Sequence, residues 1–128
     1  MMDMVDKDVV LFVEDEPLVR DSIVLELEDA GFEVMTAENG EEASYILPKM
    51  RRIDLLLTDI RMPGRINGWH LAEMARCRRP NLPVIYTSGF APQPASKVEG
   101  SVFLAKPYRV DEILNAIQEV KSRTRAAE

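Results

Sequence analysis

Residues 9–16 read VVLFVEDE, five apolar residues followed at once by three acidic ones. An unbroken apolar run of this length is typical of a β-strand buried on both faces, as in a parallel sheet covered by helices. The acids stand where the strand leaves the core. This stretch therefore predicts a buried strand whose carboxyl end carries Glu14, Asp15 and Glu16.

Apolar runs and segments of helical period alternate along the rest of the chain. Further strands are predicted at residues 32–37, 53–58, 83–87 and 102–104. Helical periodicity is present in four segments, 17–30, 39–47, 69–78 and 110–120. Such alternation predicts an α/β fold, a parallel sheet with helices on both faces. Five strands in a chain of this size favour the doubly wound, flavodoxin-like order 2-1-3-4-5.

The composition excludes several classes of function. The 128 residues suffice for one domain, and 16 basic against 22 acidic residues give a net charge of −6. An acidic chain lacks the basic surface that binds phosphate backbones, so we expect no direct nucleic-acid partner. A single cysteine and a single histidine provide neither a disulfide nor a zinc site. Without a long apolar stretch or a signal core, no membrane association and a cytoplasmic location are expected.

Polar residues follow four of the predicted strands. Glu14 and Asp15 follow the first, Asp59 the third, Ser88 the fourth and Lys106 the fifth. The carboxyl ends of these strands lie on one edge of a doubly wound sheet, where the first and third strands are neighbours. Three carboxylates would then meet, and they repel one another unless a cation lies among them. Mg²⁺, a hard ion that prefers oxygen ligands, fits this site best.

This set of residues fits one reaction. An ionised aspartate beside a metal ion and a lysine is a competent nucleophile toward phosphorus, and its attack gives an aspartyl phosphate. Phosphoryl transfer otherwise needs alignment and neutralisation of the equatorial oxygens. The metal ion, the Lys106 ammonium and the Ser88 hydroxyl would each contact one oxygen, with Asp59 as the nucleophile.

Four motifs resemble those of a response-regulator receiver domain of two-component signalling. They are FVEDE (12–16), LLLTDIRMPG (55–64), VIYTSGF (84–90) and LAKPY (104–108). The resemblance covers nearly the whole chain and implies a single receiver domain at 1–128, with its core at about 8–122 and a frayed tail at 123–128. Since 128 residues leave no room for an output domain, we expect a stand-alone regulator, a phosphate shuttle or a phosphate sink. We expect no enzyme activity beyond promotion of its own phosphorylation and dephosphorylation. Its partner would be a sensor histidine kinase or a histidine phosphotransfer protein, and a phosphorylation-dependent dimer is compatible with the family.

The resemblance also implies a role for each site residue. Asp59 becomes the phosphoacceptor. Asp15 and Asp59 would bind Mg²⁺ directly, Glu14 largely through water, and Arg61 through its backbone carbonyl.

Further roles concern the conformational switch and the phosphoryl lifetime. Ser88 takes the position of the switch hydroxyl, Phe103 that of the switch aromatic, and Lys106 that of the family lysine. The Lys106–Pro107 bond is expected to be cis, as X–Pro bonds in tight turns can be. Arg61 and Phe90 would flank the path of the hydrolytic water and tune dephosphorylation.

Two other functions remain open alternatives. A pseudo-receiver would share the fold and act only as a docking module, but the intact acids and Lys106 argue against it. Phosphatases of the haloacid-dehalogenase type also use an aspartate after an apolar strand. They carry a second acid two residues later, where this chain has Arg61.

Two segments depart from the family pattern. Gly64 and Gly68 enclose three residues where many receivers have two, which predicts a changed loop shape. From Ser88 to Lys106 is 106 − 88 = 18 positions, about a helical turn less than is usual. Since this stretch contains prolines, we expect residues 90–100 to form a mobile loop or a single irregular turn.

We interpret several residues around the third helix as structural. Arg76, Arg78 and Arg79 stand where they would compensate the negative end of that helix. Trp69 and Cys77 are expected to be packing residues.

Overall fold

The computed structural model describes residues 7–89 and 97–127. This part of the chain contains five strands, β1 (Val9–Val13), β2 (Glu33–Ala37), β3 (Leu55–Asp59), β4 (Val84–Ser88) and β5 (Val102–Ala105). It also contains four α-helices, α1 (Pro17–Asp29), α2 (Gly40–Ile46), α3 (Gly68–Arg78) and α4 (Val110–Ala127). A 3₁₀ turn (Leu47–Lys49) follows α2 at Pro48, which cannot continue the helix. In the described part of the chain, no helix is both long and apolar enough to cross a membrane.

All strand pairs in the sheet are parallel, and their order is β2-β1-β3-β4-β5. The predicted fold is therefore confirmed. In this register Val13 lies opposite Thr58, and Asp59 lies opposite Thr87. The carboxyl ends of β1, β3 and β4 consequently share one edge of the sheet.

Helices cover both faces of the sheet. On one face the core is formed with α2 and α3, by residues such as Leu11, Val13, Leu56, Leu71, Ala75 and Tyr86. On the other it is formed with α1 and α4, by residues such as Phe12, Leu27, Leu57, Ile85, Ile113 and Ile117. The central strands β1 and β3 are buried on both sides, which explains their unbroken apolar sequences.

The predicted boundaries differ from the observed ones by a few residues. β2 begins at Glu33 rather than residue 32, and β3 at Leu55 rather than residue 53. The last helix continues to Ala127, beyond the limit of 122 given to the core. Asn39 caps α2, since its side chain accepts a hydrogen bond from the Glu42 backbone N–H.

Residues 97–100 form a bend and a turn, the irregular structure predicted for them. Residues 90–96, the other part of the predicted loop, lie outside the described residues. The Val98 N–H donates to the Tyr86 hydroxyl at 3.0 Å, and Arg76 Nη2 donates to the Glu99 carbonyl at 2.7 Å. Arg123 Nη1 donates to the Ser101 carbonyl at 2.9 Å. Side chains from β4, α3 and α4 therefore hold this segment in place.

One interpretation around α3 is extended by the structure and another is wrong. Arg76 and Arg78 lie in the last turn of α3. Arg76 and Arg79 also donate to loop carbonyls, those of Leu82 at 2.7 Å and Met50 at 2.8 Å. Cys77 is exposed, so its prediction as a packing residue is wrong; α3 buries its Leu71–Ala72–Ala75 face instead. Trp69 does pack, with its ring centroid 4.5 Å from that of Tyr86.

Candidate functional site

Three carboxylates meet at the carboxyl edge of the sheet. Glu14 and Asp15 follow β1 directly, and Asp59 is the last residue of the adjacent strand β3. One carboxylate oxygen from each of them lies within 4.8 Å of the others. The convergence predicted from the strand order is therefore confirmed.

Lys106 lies between two of these acids. Its Nζ donates to Glu14 Oε1 and to Asp59 Oδ2, both at 2.9 Å. The Lys106 backbone N–H donates to the Ser88 carbonyl at 2.9 Å, which continues the pairing of β4 with β5. The Lys106–Pro107 peptide bond is cis, as predicted.

Glu14 is fully buried, with 0% of its surface exposed. Its Oε2 accepts a hydrogen bond from the Glu16 N–H at 3.1 Å, and its backbone carbonyl accepts one from Arg20 Nη1 at 2.9 Å. Burial raises the pKa of Glu14, and the hydrogen bond from Lys106 offsets this only in part. This acid is therefore oriented inward, toward Lys106.

The pKa values of Asp59 and Lys106 are both set by burial and by the pairing of the two side chains. Burial raises the pKa of Asp59, Lys106 opposes that rise, and the nearby Asp15 adds to it. Burial alone would lower the pKa of Lys106, but its bonds to Glu14 and Asp59 hold that pKa above its usual range. Lys106 is consequently an ammonium ion at neutral pH.

The donor set suits a divalent cation. The three acidic side chains outnumber the single Lys106 ammonium among them, which leaves an excess of acidic groups at the site. Asp15 is more accessible to solvent than Glu14 and Asp59, which gives an ion a route to the cluster. Hard oxygen ligands and an excess of negative charge are what Mg²⁺ and Ca²⁺ require, so these residues could hold Mg²⁺.

The structure also places the predicted switch residues. Ser88 is buried at the end of β4, one residue beyond the Thr87 that pairs with Asp59, so it lies at the same edge as the carboxylates. Phe103 is half-buried on β5 opposite Tyr86, at the core that includes α3. Arg61 is exposed, and Phe90 lies outside the described residues.

Sequence reasoning missed two residues around the site. Arg20, in the first turns of α1, holds the Glu14 carbonyl. Tyr108 has a buried hydroxyl without a hydrogen-bond partner among the described residues. Burial and the Glu14 charge raise the Tyr108 pKa, which keeps this hydroxyl protonated. Sequence position was the only available signal, since Tyr108 stands two residues after Lys106 and Arg20 lies in the first turns of the helix that follows the acids.

Residues 10–118 match the family described as the response regulator receiver domain. The chain belongs to this family. The resemblance of its four motifs is thereby confirmed, and they include every acid of the cluster and Lys106.

Individual relatives agree with this membership. The chain is 30% identical to the cell cycle response regulator CtrA of Brucella ovis over 121 residues, 91% of this chain and 51% of that protein. A response regulator receiver protein from Sinorhizobium medicae has a TM-score of 0.86 at 31% identity, covering 92% of this chain and 98% of that one. Thermotoga maritima TrrA, solved in complex with Mg²⁺–BeF, has a TM-score of 0.75 at 28% identity, covering 88% and 98%. The chain spans about half the length of the curated relatives it matches.

Proposed function

We propose that this receiver accepts a phosphoryl group on Asp59 from a phosphohistidine of a sensor histidine kinase or a histidine phosphotransfer protein. One observation carries the proposal: the Lys106 ammonium bridges Glu14 and Asp59 at 2.9 Å, beside the more accessible Asp15. A buried aspartate that is paired with a fixed ammonium has both the nucleophile and the charge partner that phosphoryl transfer needs.

The transfer forms one bond and breaks another. A carboxylate oxygen of Asp59 bonds to phosphorus while the bond from phosphorus to the donor imidazole nitrogen breaks, and the electron pair stays with that nitrogen. Lys106, held at 2.9 Å from Asp59, neutralises an oxygen of the transferred group without having to be brought in from solvent. Ser88 donates its hydroxyl to another oxygen.

Mg²⁺ would be held by Asp15, Asp59 and the backbone carbonyl of Arg61, with Glu14 acting largely through water. When bound, the ion supplies the remaining charge neutralisation. Glu14 has a second task in this arrangement, because its hydrogen bond fixes the Lys106 ammonium at the site.

The phosphoryl group would change the conformation that a partner recognises. Ser88 and Tyr86 alternate with Thr87 along β4, so they share a face of the sheet. Tyr86 lies opposite Phe103 on β5. A shift of Ser88 toward the phosphoryl group would therefore act on the strand end that packs beside Phe103, and a downstream partner would respond to that change.

Intact-mass analysis after incubation with acetyl phosphate and Mg²⁺ tests the proposal. We expect one added phosphoryl group on the wild type, none on Asp59→Asn, and an unchanged yield on Asp111→Asn, a control at an exposed aspartate of α4. A wild type that gains no phosphoryl group would favour the pseudo-receiver. Turnover of small phosphomonoesters would favour the phosphatase.

A further inference from the structure

The loop of residues 61–67 connects β3 to α3 and contains the extra residue between Gly64 and Gly68. Its base is closed, since the Gly68 N–H donates to the Ile60 carbonyl at 2.8 Å. A Cβ at Gly68 would lie 2.3 Å from the Asp59 carbonyl oxygen. The loop therefore returns onto the backbone of the phosphoacceptor itself, where only a glycine fits.

The tip of this loop is held by a carboxylate from another element. Glu41, in the first turn of α2, accepts a hydrogen bond from the Arg65 backbone N–H at 2.6 Å. Gly64 has φ +99°, and a Cβ there would lie 2.5 Å from Glu41 Oε1. The backbone N–H groups of Arg65 and Ile66 lower the pKa of Glu41, as expected for a carboxylate that accepts backbone donors.

A second contact brings α2 and the loop together. A Cβ at Gly40 would lie 2.2 Å from the Ile66 carbonyl oxygen, so the helix start and the loop are in direct backbone contact. At its other end, Asn67 caps α3 by accepting a hydrogen bond from the His70 N–H at 2.9 Å. The loop is thus fixed at its base, at its tip and at its exit into α3.

We propose that Glu41 is a positioning residue for the chemistry at Asp59, because it holds the 61–67 loop in the shape that presents the Arg61 backbone carbonyl to the metal ion. The inference rests on the proposed function. A ligand that is already in place costs less conformational entropy when the ion binds, so fixing the loop raises the affinity for Mg²⁺.

The neighbouring Glu42 supplies a matched control. It lies in the same first turn, and its Oε1 also accepts a backbone hydrogen bond at 2.6 Å, but from Glu38 rather than from the loop. Both acids interact in the same way with the positive end of α2. An effect that is specific to Glu41 therefore reports on the loop and not on the helix.

The test compares Glu41→Ala and Glu41→Gln with Glu42→Gln in the full chain. Amide hydrogen exchange at Arg65 reports on its hydrogen bond to Glu41. Calorimetric titration with MgCl₂ reports on the Mg²⁺ affinity of the site. We expect faster exchange at Arg65 in Glu41→Ala and an Mg²⁺ affinity lowered by about threefold or more. The initial rate with acetyl phosphate at limiting Mg²⁺ should fall in parallel. Glu41→Gln, which keeps a neutral acceptor oxygen, should show a smaller loss, and Glu42→Gln none.

Wild-type Mg²⁺ affinity in both Glu41 variants would overturn the inference, and so would an equal loss in Glu42→Gln. If Glu41→Ala does not fold, the comparison of Glu41→Gln with Glu42→Gln decides. If the wild type is phosphorylated and the Glu41 variants have the same Mg²⁺ affinity and phosphorylation rate, the positioning role is refuted and the proposed function stands. A wild type that takes no phosphoryl group refutes the proposed function and this inference with it.

Discussion

Lys106 Nζ lies 2.9 Å from Glu14 Oε1, although the two residues are 92 positions apart in the chain and the Glu14 side chain is 0% exposed. A buried carboxylate requires a partner of opposite charge, because removing an ion from water costs several kcal/mol. Lys106 is therefore the structural counter-ion of Glu14 as well as the partner of Asp59. This double role connects the stability of the protein to its chemistry.

Replacing Lys106 by methionine should destabilise the metal-free protein. Glu14 would keep its burial and lose its cation, so we expect the free energy of unfolding to fall by about 2 kcal/mol, less than for a fully buried pair because Lys106 is partly exposed. Urea denaturation in EDTA measures the change. Adding Glu14→Gln should restore much of the loss, since it removes the unpaired charge. A Lys106→Met variant as stable as the wild type would show that the pair contributes nothing to folding.

Replacing Asp59 by asparagine should stabilise the metal-free protein at neutral pH. Asparagine keeps an oxygen that Lys106 can donate to, and it removes one charge from three crowded acids. We expect a gain of about 1 kcal/mol, a few degrees in melting temperature. Mg²⁺ should stabilise the wild type more than the variant, through its preferential binding to the folded state. A clearly lower melting temperature for metal-free Asp59→Asn would contradict the crowding argument.

The stability gain of Asp59→Asn over the wild type should depend on pH. Burial raises the pKa of Asp59 above its ordinary value of 3.8, so the folded protein binds this proton more readily than the unfolded chain does. The Asp59 contribution to wild-type stability therefore falls as pH rises from the unfolded to the folded pKa. The advantage of Asp59→Asn should be largest at neutral pH and shrink as pH falls through that window. Thermal melts in EDTA across pH measure it; a constant difference would mean that Asp59 does not titrate differently in the two states.

Arg61 and Phe90 are predicted to slow hydrolysis of the phosphorylated form. A large side chain over the acyl phosphate hinders in-line attack by water. Arg61 is exposed, directly after the site, while Phe90 lies outside the described residues. The double variant Arg61→Ala/Phe90→Asn should lose phosphoryl label faster than the wild type after the donor is removed. Equal or slower decay would indicate that Arg61 orients the attacking water instead.

The fold and the acidic cluster could be predicted because they follow from local patterns. A run such as Val9–Val13 specifies a strand, and strand order then brings Glu14, Asp15 and Asp59 to one edge. The direction of a long side chain follows no such pattern. Lys106 bonds to Glu14, and Arg76 spans from α3 to the Glu99 carbonyl, because of tertiary packing between distant segments.

The hydrogen bond between Glu41 and Arg65 illustrates the same limit, but the exposure of Cys77 does not. From the sequence alone, Glu41 is an acid in the first turn of a helix. Its hydrogen bond with the Arg65 N–H depends on the shape of a loop 24 residues away. Cys77 follows an apolar face by only two residues, a spacing that on a helix turns the side chain away from that face. The contact of Glu41 therefore could not be assigned from the sequence, whereas the exposure of Cys77 could have been inferred from this spacing.

The segment 97–101 is joined by a hydrogen bond to β4, the strand that ends at Ser88. The Tyr86 side chain is 1% exposed, and its hydroxyl accepts the Val98 N–H at 3.0 Å. Tyr86→Phe would leave that N–H without its acceptor, at a cost of about 1 kcal/mol, and should speed amide exchange at Val98. Tyr45→Phe, at an exposed tyrosine of α2, is the control and should leave this exchange unchanged.

Beryllofluoride with Mg²⁺ then tests whether the site acts through this bond. In the wild type, we expect the phosphoryl mimic to increase protection across residues 90–100, because Ser88 pulls on the end of β4 and orders the segment that follows. In Tyr86→Phe the increase at Val98 should be lost while the mimic still binds, since the hydroxyl that joins the segment to β4 is gone. Strong protection before activation, with no change on adding the mimic, would mean that this segment is a fixed structure and does not transmit the signal.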